Sequence, residues 1–185
     1  MKLCRVGKVN KEKPALIDKA GNYRDLSKIV KDFNPATLNF ETIEKLKSLD
    51  LEKLSILDNK QRIGACVSNP SKFLGIGLNF KDHALEQNLP IPKEPIIFSK
   101  FTSCISGPND DIVIPKNSNH TDWEVEIGFV IGKKAKYVSE KDSMEYVLGF
   151  FLANDISERN FQKNKGLTWD KGKGFDTFGP IGPYI

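Results

Sequence analysis

The stretch Thr121-Asp122-Trp123-Glu124-Val125-Glu126-Ile127-Gly128 decides how this chain is read. Its apolar residues, Trp123, Val125 and Ile127, alternate with polar ones, the two-residue period of a half-buried β-strand. Successive strand side chains point to opposite faces, so Glu124 and Glu126 should emerge on one face, about 7 Å apart. Two carboxylates so placed repel each other unless a cation or a proton lies between them. A third carboxylate, Asp155, ends the apolar run Tyr146-Val-Leu-Gly-Phe-Phe-Leu-Ala-Asn-Asp155. Three hard oxygen donors on two strands suit a divalent cation such as Mg²⁺ or Mn²⁺. Taken alone, Glu-x-Glu more often lines the wet face of an edge strand, so the rest of the chain has to decide.

The composition is that of an ordinary globular chain: 185 residues, 39% hydrophobic and 28% charged, enough for one substantial core. The net charge of +4 does not point to nucleic acid. Arginine occurs only at positions 5, 24, 62 and 159, and the lysines are scattered, whereas nucleic-acid binders gather charge and lean on arginine. Cys4, Cys66 and Cys104 are odd in number and far apart, which fits a reducing cytosol better than a disulfide framework. Neither a signal peptide nor a membrane span is visible, so a cytoplasmic protein with no membrane partner is expected.

Residues 1–65 read as a small α+β module, and residues 66–185 as a second, chemical one. In the first, Leu3–Arg5, Ala15–Ile17 and Tyr23–Asp25 look like short strands. Phe40, Ile43, Leu46 and Leu49 recur at helical spacing, with Lys45 and Lys47 toward water. Asp58–Gly64 has the composition of a linker. In the second, Phe73–Leu78, Ile96–Phe98, Ile112–Ile114 and Phe129–Ile131 read as strands. Asn79 is placed to cap a helix bearing His83 and Glu86, Ser139 to start another, and Ser157 to cap one bearing Arg159 and Gln162. Many short strands with few helices predict a β-rich α+β fold, not a doubly wound sheet.

Two further clusters could carry chemistry. His83 and Glu86 are three apart, hence on one helix face, where a carboxylate can orient an imidazole as a base. An isolated His-x-x-Glu is more often a surface pair of little consequence. His120, in a polar loop, is given no role. Trp169-Asp-Lys-Gly-Lys-Gly-Phe-Asp-Thr-Phe-Gly-Pro180 reads as a glycine-rich turn holding Lys171 and Lys173 where backbone can approach a ligand, and it lacks the order of a phosphate loop.

Taken in order, Asn79-Phe-Lys-Asp-His83-Ala-Leu-Glu86, Asp122-Trp-Glu124-Val-Glu126, Asn154-Asp155-Ile-Ser-Glu-Arg159 and Lys171-Gly-Lys173-Gly-Phe-Asp-Thr-Phe-Gly-Pro resemble the fumarylacetoacetate hydrolase family. The last run is similar to bacterial members known as ureidoglycolate lyases or 2,4-diketo-3-deoxy sugar-acid hydrolases. The resemblance covers about residues 70–185, and the first 65 match the amino-terminal domain of the same subfamily. It implies a mixed β-sheet roll in which Glu124, Glu126 and Asp155 ligate Mg²⁺ or Mn²⁺. It implies His83 and Glu86 as the water-activating pair, Lys173 facing the substrate, and Arg159 and Gln162 beside it. It further implies a homodimer acting on a small carboxylic acid. Gly174 stands where many relatives have serine, so a contact from that hydroxyl is not expected. Family members continue beyond an ending such as Gly182-Pro-Tyr-Ile185, so a fragment with an open sheet edge is expected. The favoured reaction is hydrolysis of a C–C bond in a 2-oxo or 2,4-dioxo acid. Urea elimination, decarboxylation and dienoate isomerisation are the alternatives on the same site, and a non-catalytic relative is the rival class.

Overall fold

The structure, a computed structural model, describes residues 1–166 and 168–185. Its first sheet is built from β1 (Leu3–Val6), β2 (Lys13–Ile17), β3 (Tyr23–Asp25) and β4 (Ile56–Leu57), antiparallel and in sequence order. Between β3 and β4 lies α1 (Phe40–Lys47). Asn39 caps it by accepting the Thr42 N–H, Glu41 lies in its first turn, and Lys45 and Lys47 lie in its last, all favourable to the helix dipole. The helix ends before Leu49, which still packs on the core from a half-buried position. Leu16, Leu26, Phe33 and Leu46 make the centre of that core, and it runs on without a break into Ile181, Val130, Leu148 and Phe151 of the second sheet. Arg62, in the supposed linker, fastens the two parts: Nη1 reaches Glu12 at 2.8 Å and Nη2 reaches Asp110 at 2.5 Å.

The remaining elements, in chain order, are β5 (Leu74–Gly77), α2 (Lys81–Glu86), β6 (Ile96–Ser99), β7 (Ile105–Ser106), β8 (Thr121–Asp122), β9 (Val125–Ile131), β10 (Val147–Asn154), β11 (Ser157–Glu158), α3 (Arg159–Asn164), α4 (Asp170–Lys173) and β12 (Gly179–Gly182). The second large sheet has the order β7-β12-β10-β9, mixed because β12 runs parallel to β7 and antiparallel to β10. The pairs β5–β6 and β8–β11 stand beside it. The architecture is thus mixed and sheet-rich, with short helices. No helix among the described residues is long and apolar enough to cross a membrane, and the three cysteines are buried and free.

Several local expectations are corrected. The carboxylate strand is broken: Thr121–Asp122 pairs with β11, Val125–Ile131 pairs with β10, and Trp123 and Glu124 lie in the gap. There the Glu124 N–H donates to the Asn154 side chain at 3.1 Å, and the Glu124 carbonyl accepts from Asp155 N at 2.8 Å. The alternation holds along β9, but its apolar row faces water, with Val125 78% and Ile127 67% exposed. Glu126, Gly128 and Val130 form the inward row; a side chain at Gly128 would meet the Phe151 ring, 2.2 Å from an added Cβ. Ile112–Ile114 is not a strand, and the Val113 N–H is held by the Thr177 hydroxyl. Residue 79 does not cap α2, since Phe80 is the cap and makes no side-chain bond. Ser139 precedes a 3₁₀ helix, Glu140–Tyr146, and its hydroxyl bonds Asp142, not a backbone N–H. Ser157 does not cap α3; the buried Glu158 does, accepting the Asn160 N–H. The expected edge does not fall at the last strand: the sheet's edges are β7 and β9. β12 is an interior strand, and Leu3 and Ile185 exchange backbone hydrogen bonds of 3.0 and 2.9 Å.

Candidate active site

Asp155, at the end of β10, is buried and held from both sides. Its Oδ1 accepts from Lys100 Nζ at 2.6 Å, and its Oδ2 from Lys173 Nζ at 2.7 Å. The same Lys173 ammonium reaches Glu124 Oε2 at 2.6 Å, so it lies between two carboxylates from different segments. Glu124 Oε1 is taken by Arg159 Nη2 at 2.6 Å, and that guanidinium also grips Asp122 Oδ2 at 2.7 Å. Gln162 accepts from Arg159 Nη1 at 3.0 Å.

Local chemistry explains these positions. Lys173 is not on a turn but closes α4, a single helical turn, and is 2% exposed. Gly172 is required for a reason other than ligand approach: an added Cβ would lie 2.6 Å from Gln162 Cβ, so its absence lets α4 press against α3. Arg159 opens α3, directly after the buried Glu158, which also accepts from His120 N and from the Ser118 hydroxyl.

Charge balance sets the protonation states. Burial pushes the Asp155 carboxyl up, but the Lys100 and Lys173 ammonium groups outweigh it and hold Asp155 below its ordinary value. Burial likewise opposes Asp122, and Arg159 overrules it. Glu126 has no such help. Burial first, then the charges of Glu124 and Asp155, push its carboxyl up to about 7, against a weaker pull from Lys173. No Lys or Arg among the described residues is within ion-pair reach of it.

The sequence-derived residues therefore fall into two groups. Glu124, Asp155 and Lys173 are in direct contact, and Glu126 feels their charge. His83 and Glu86 lie apart, lining an open cleft of about 380 Å³ with His120, Asp122 and Arg159. Arg159 and Asp122 link the two groups, because they line the cleft and Arg159 grips Glu124. Within the pair, His83 Nδ1 and Glu86 Oε2 are 4.0 Å apart, Glu86 is largely exposed, and the Gln87 amide sits 2.5 Å from His83 Nε2. Two residues were missed. Asp122 was quoted but given no role, and Lys100 went unremarked. A lysine directly after the apolar strand Ile96–Ser99 is the one signal that could have marked Lys100.

As the side chains stand, no three carboxylate, imidazole or thiol groups among the described residues converge closely enough to hold a metal ion. The reason is visible in the pairing: a lysine ammonium already lies between Glu124 and Asp155. The donor set nevertheless fits a hard divalent cation. All three candidate ligands are carboxylates, a cationic group sits between two of them, and the third is left with unneutralised charge.

Residues 72–185 match the fumarylacetoacetate (FAA) hydrolase C-terminal family. Over all 185 residues the chain is 52% identical to a protein of Burkholderia orbicola whose provisional name says only hydrolase, and it covers 66% of that protein. The chain thus spans about two thirds of the length of the curated relatives it matches. Among solved structures it is similar to a fumarylacetoacetate hydrolase from Exiguobacterium antarcticum, with 26% identity and a TM-score of 0.82, covering all of this chain and 66% of that one. It is also similar to a 5-carboxymethyl-2-hydroxymuconate delta-isomerase from Mycobacterium smegmatis, with 26% identity and a TM-score of 0.70, covering all of this chain and 65% of that one.

Proposed function

Because the chain belongs to the fumarylacetoacetate hydrolase family, we propose that it is a metal-assisted enzyme that hydrolyses a C–C bond in a small 2-oxo or 2,4-dioxo acid. The observation that carries this reading is the Lys173 ammonium buried between Glu124 and Asp155, with Glu126 beside them and unneutralised. Such an arrangement is costly to a fold unless the charges are used.

In this reading Glu124, Glu126 and Asp155 hold the cation, Mg²⁺ or Mn²⁺. When bound, it supplies Lewis-acid stabilisation to the enolate that leaves. Arg159, which lines the cleft, binds and orients the substrate carboxylate through its planar fork, and Gln162, buried against it, holds the guanidinium and completes the substrate subsite. His83 takes a proton from the attacking water, and Glu86 orients the ring; for this the Gln87 amide must first part from Nε2. Lys173 holds the developing negative charge as a buried point charge. Residues 1–65 are the proposed amino-terminal domain, and a homodimer is the proposed assembly, checked by sedimentation.

Similarity to a solved isomerase favours a second reading, in which the same residues move a proton along a dienoic diacid without breaking the chain of carbons. Urea elimination from ureidoglycolate and decarboxylation of oxaloacetate use the same donors. One experiment separates all of these: the purified protein is screened with Mg²⁺ against acylpyruvates, diketo sugar acids, ureidoglycolate, oxaloacetate and hydroxymuconate-type diacids. Turnover of one class names the reaction. Turnover of none, with cation binding intact, removes the enzymatic reading in favour of a binding protein.

A further inference from the structure

Lys100 is 3% exposed and has no place in the reaction proposed above. An ammonium has three donors, and all three of these are committed: to Asp155 Oδ1 at 2.6 Å, to the Lys173 carbonyl at 2.6 Å and to the Ile156 carbonyl at 3.4 Å. One nitrogen therefore joins the carboxylate at the end of β10 to the backbone of α4, 73 residues from Lys100 in sequence. Lys173 is bound differently. Among the described residues its ammonium touches only the two carboxylates Glu124 and Asp155, with no backbone acceptor, and it rests 5.2 Å from the Phe98 ring centroid. Of the two lysines on Asp155, one is built into the fold and the other can be exchanged for another cation.

We infer that Lys100 is a positioning residue that selects which cation the site accepts, by occupying Oδ1 so that Asp155 is presented through Oδ2 alone. This rests on the metal reading above and goes beyond it. Mg²⁺ demands near-ideal octahedral coordination, with carboxylates each giving one oxygen, whereas Ca²⁺ takes six to eight oxygens and readily accepts both from one carboxylate. A carboxylate whose second oxygen is held by a buried ammonium cannot offer both. Its orientation is also fixed, because a charge-assisted bond of 2.6 Å to a side chain with no freedom left resists rotation. Lys100 thus disfavours the larger ion at no cost to the smaller, and its charge trims the excess of carboxylates without entering the coordination sphere.

The test is titration calorimetry with Mg²⁺ and with Ca²⁺ on the unsubstituted protein, Lys100→Met and Lys100→Gln, with folding followed by circular dichroism. The unsubstituted protein should bind Mg²⁺ more tightly than Ca²⁺ or within tenfold of it. In whichever variant stays folded, the ratio should move toward Ca²⁺ by about 10-fold or more, the low end of what partners of metal ligands contribute. A purely structural lysine would lower both affinities together and leave the ratio alone. Mg²⁺ and Ca²⁺ binding whose ratio is unchanged in a folded variant overturns the inference while the metal site stands. So does an unsubstituted protein that prefers Ca²⁺ by more than tenfold, an outcome that needs no variant to fold. No binding of either ion to the unsubstituted protein brings down the metal reading, and the inference with it.

Discussion

Replacing Glu126 with Gln should stabilise the cation-free protein and weaken its hold on Mg²⁺ in the same step. A carboxyl that ionises near 7 instead of near 4.5 is one the fold prefers protonated. Below 4.5 it is protonated in both folded and unfolded chains, and no stability is lost. As the pH rises from 4.5 to 7 the unfolded chain ionises while the folded one resists, so stability falls, and above 7 the full penalty is present. At about 1.4 kcal/mol per pH unit the penalty is roughly 3 kcal/mol. Glu126 is only part-buried, so solvent screening reduces it to about 1–2 kcal/mol. Gln keeps the shape and removes the charge, and the variant should gain that amount at pH 8 and almost nothing at pH 4.5. Urea denaturation in the presence of a chelator, run on both proteins across this range, reads the difference and cancels carboxylates such as Asp155 that respond in the opposite sense. Mg²⁺ affinity should fall by roughly 10-fold or more, since even partners of metal ligands contribute that much. A variant that is no more stable at pH 8, or that binds Mg²⁺ as before, refutes the reasoning that Glu126 is an uncompensated ligand.

Three further outcomes are expected. His83→Ala should lower kcat by roughly 10²–10⁴-fold, the usual worth of a general base, with Mg²⁺ affinity by calorimetry almost unchanged; near-normal turnover removes His83 from the mechanism. Lys173→Met should lower kcat/KM while Mg²⁺ affinity holds or rises, because the competing ammonium is gone. Lys171→Met is the control, its exposed ammonium bonded to the Lys165 carbonyl, and equal effects in steady-state kinetics would refute a special role for Lys173. Phe33→Ala, at a fully buried position in the core that joins the two sheets, should cost about 3–5 kcal/mol in urea denaturation.

Much of the fold was legible because it rests on short-range rules. The first three strands are flanked by turn residues, and α1 has its apolar spacing, though its Asn39 cap went unread. The period of β9 was visible as well, but which row faced inward was not. Period is a property of one strand, whereas burial depends on what packs against it, and here Glu126, Gly128 and Val130 are the ones turned to the core. The break at Trp123–Glu124 was hidden for the same reason: it is stabilised from Asn154 and Asp155, 30 residues on, and leaves no local signature. Gly172 was read as room for a ligand when it is room for Gln162, a contact between two helices that no spacing rule foresees. Lys100 was the least visible of all, because its three acceptors lie 55 to 73 residues away.

The counted charges explain why the two lysines differ. Asp122, Glu124, Asp155 and, once ionised, Glu126 face Lys100, Lys173 and Arg159, four carboxylates against three cations. Two of the cations have contacts to spare outside the carboxylates: Lys100 on backbone carbonyls, Arg159 on Gln162. Among the described residues Lys173 has only the carboxylates and an aromatic face, so of the three it loses least when another positive charge replaces it. A divalent cation in its place would balance the carboxylates against Lys100 and Arg159 and relieve Glu126, leaving the Lys173 ammonium as one positive charge in excess. The displaced ammonium, buried and without its carboxylates, would then be stabilised chiefly by an anion arriving with the substrate. Cation binding and substrate binding should on this account favour each other, with Lys173 as the group that couples them.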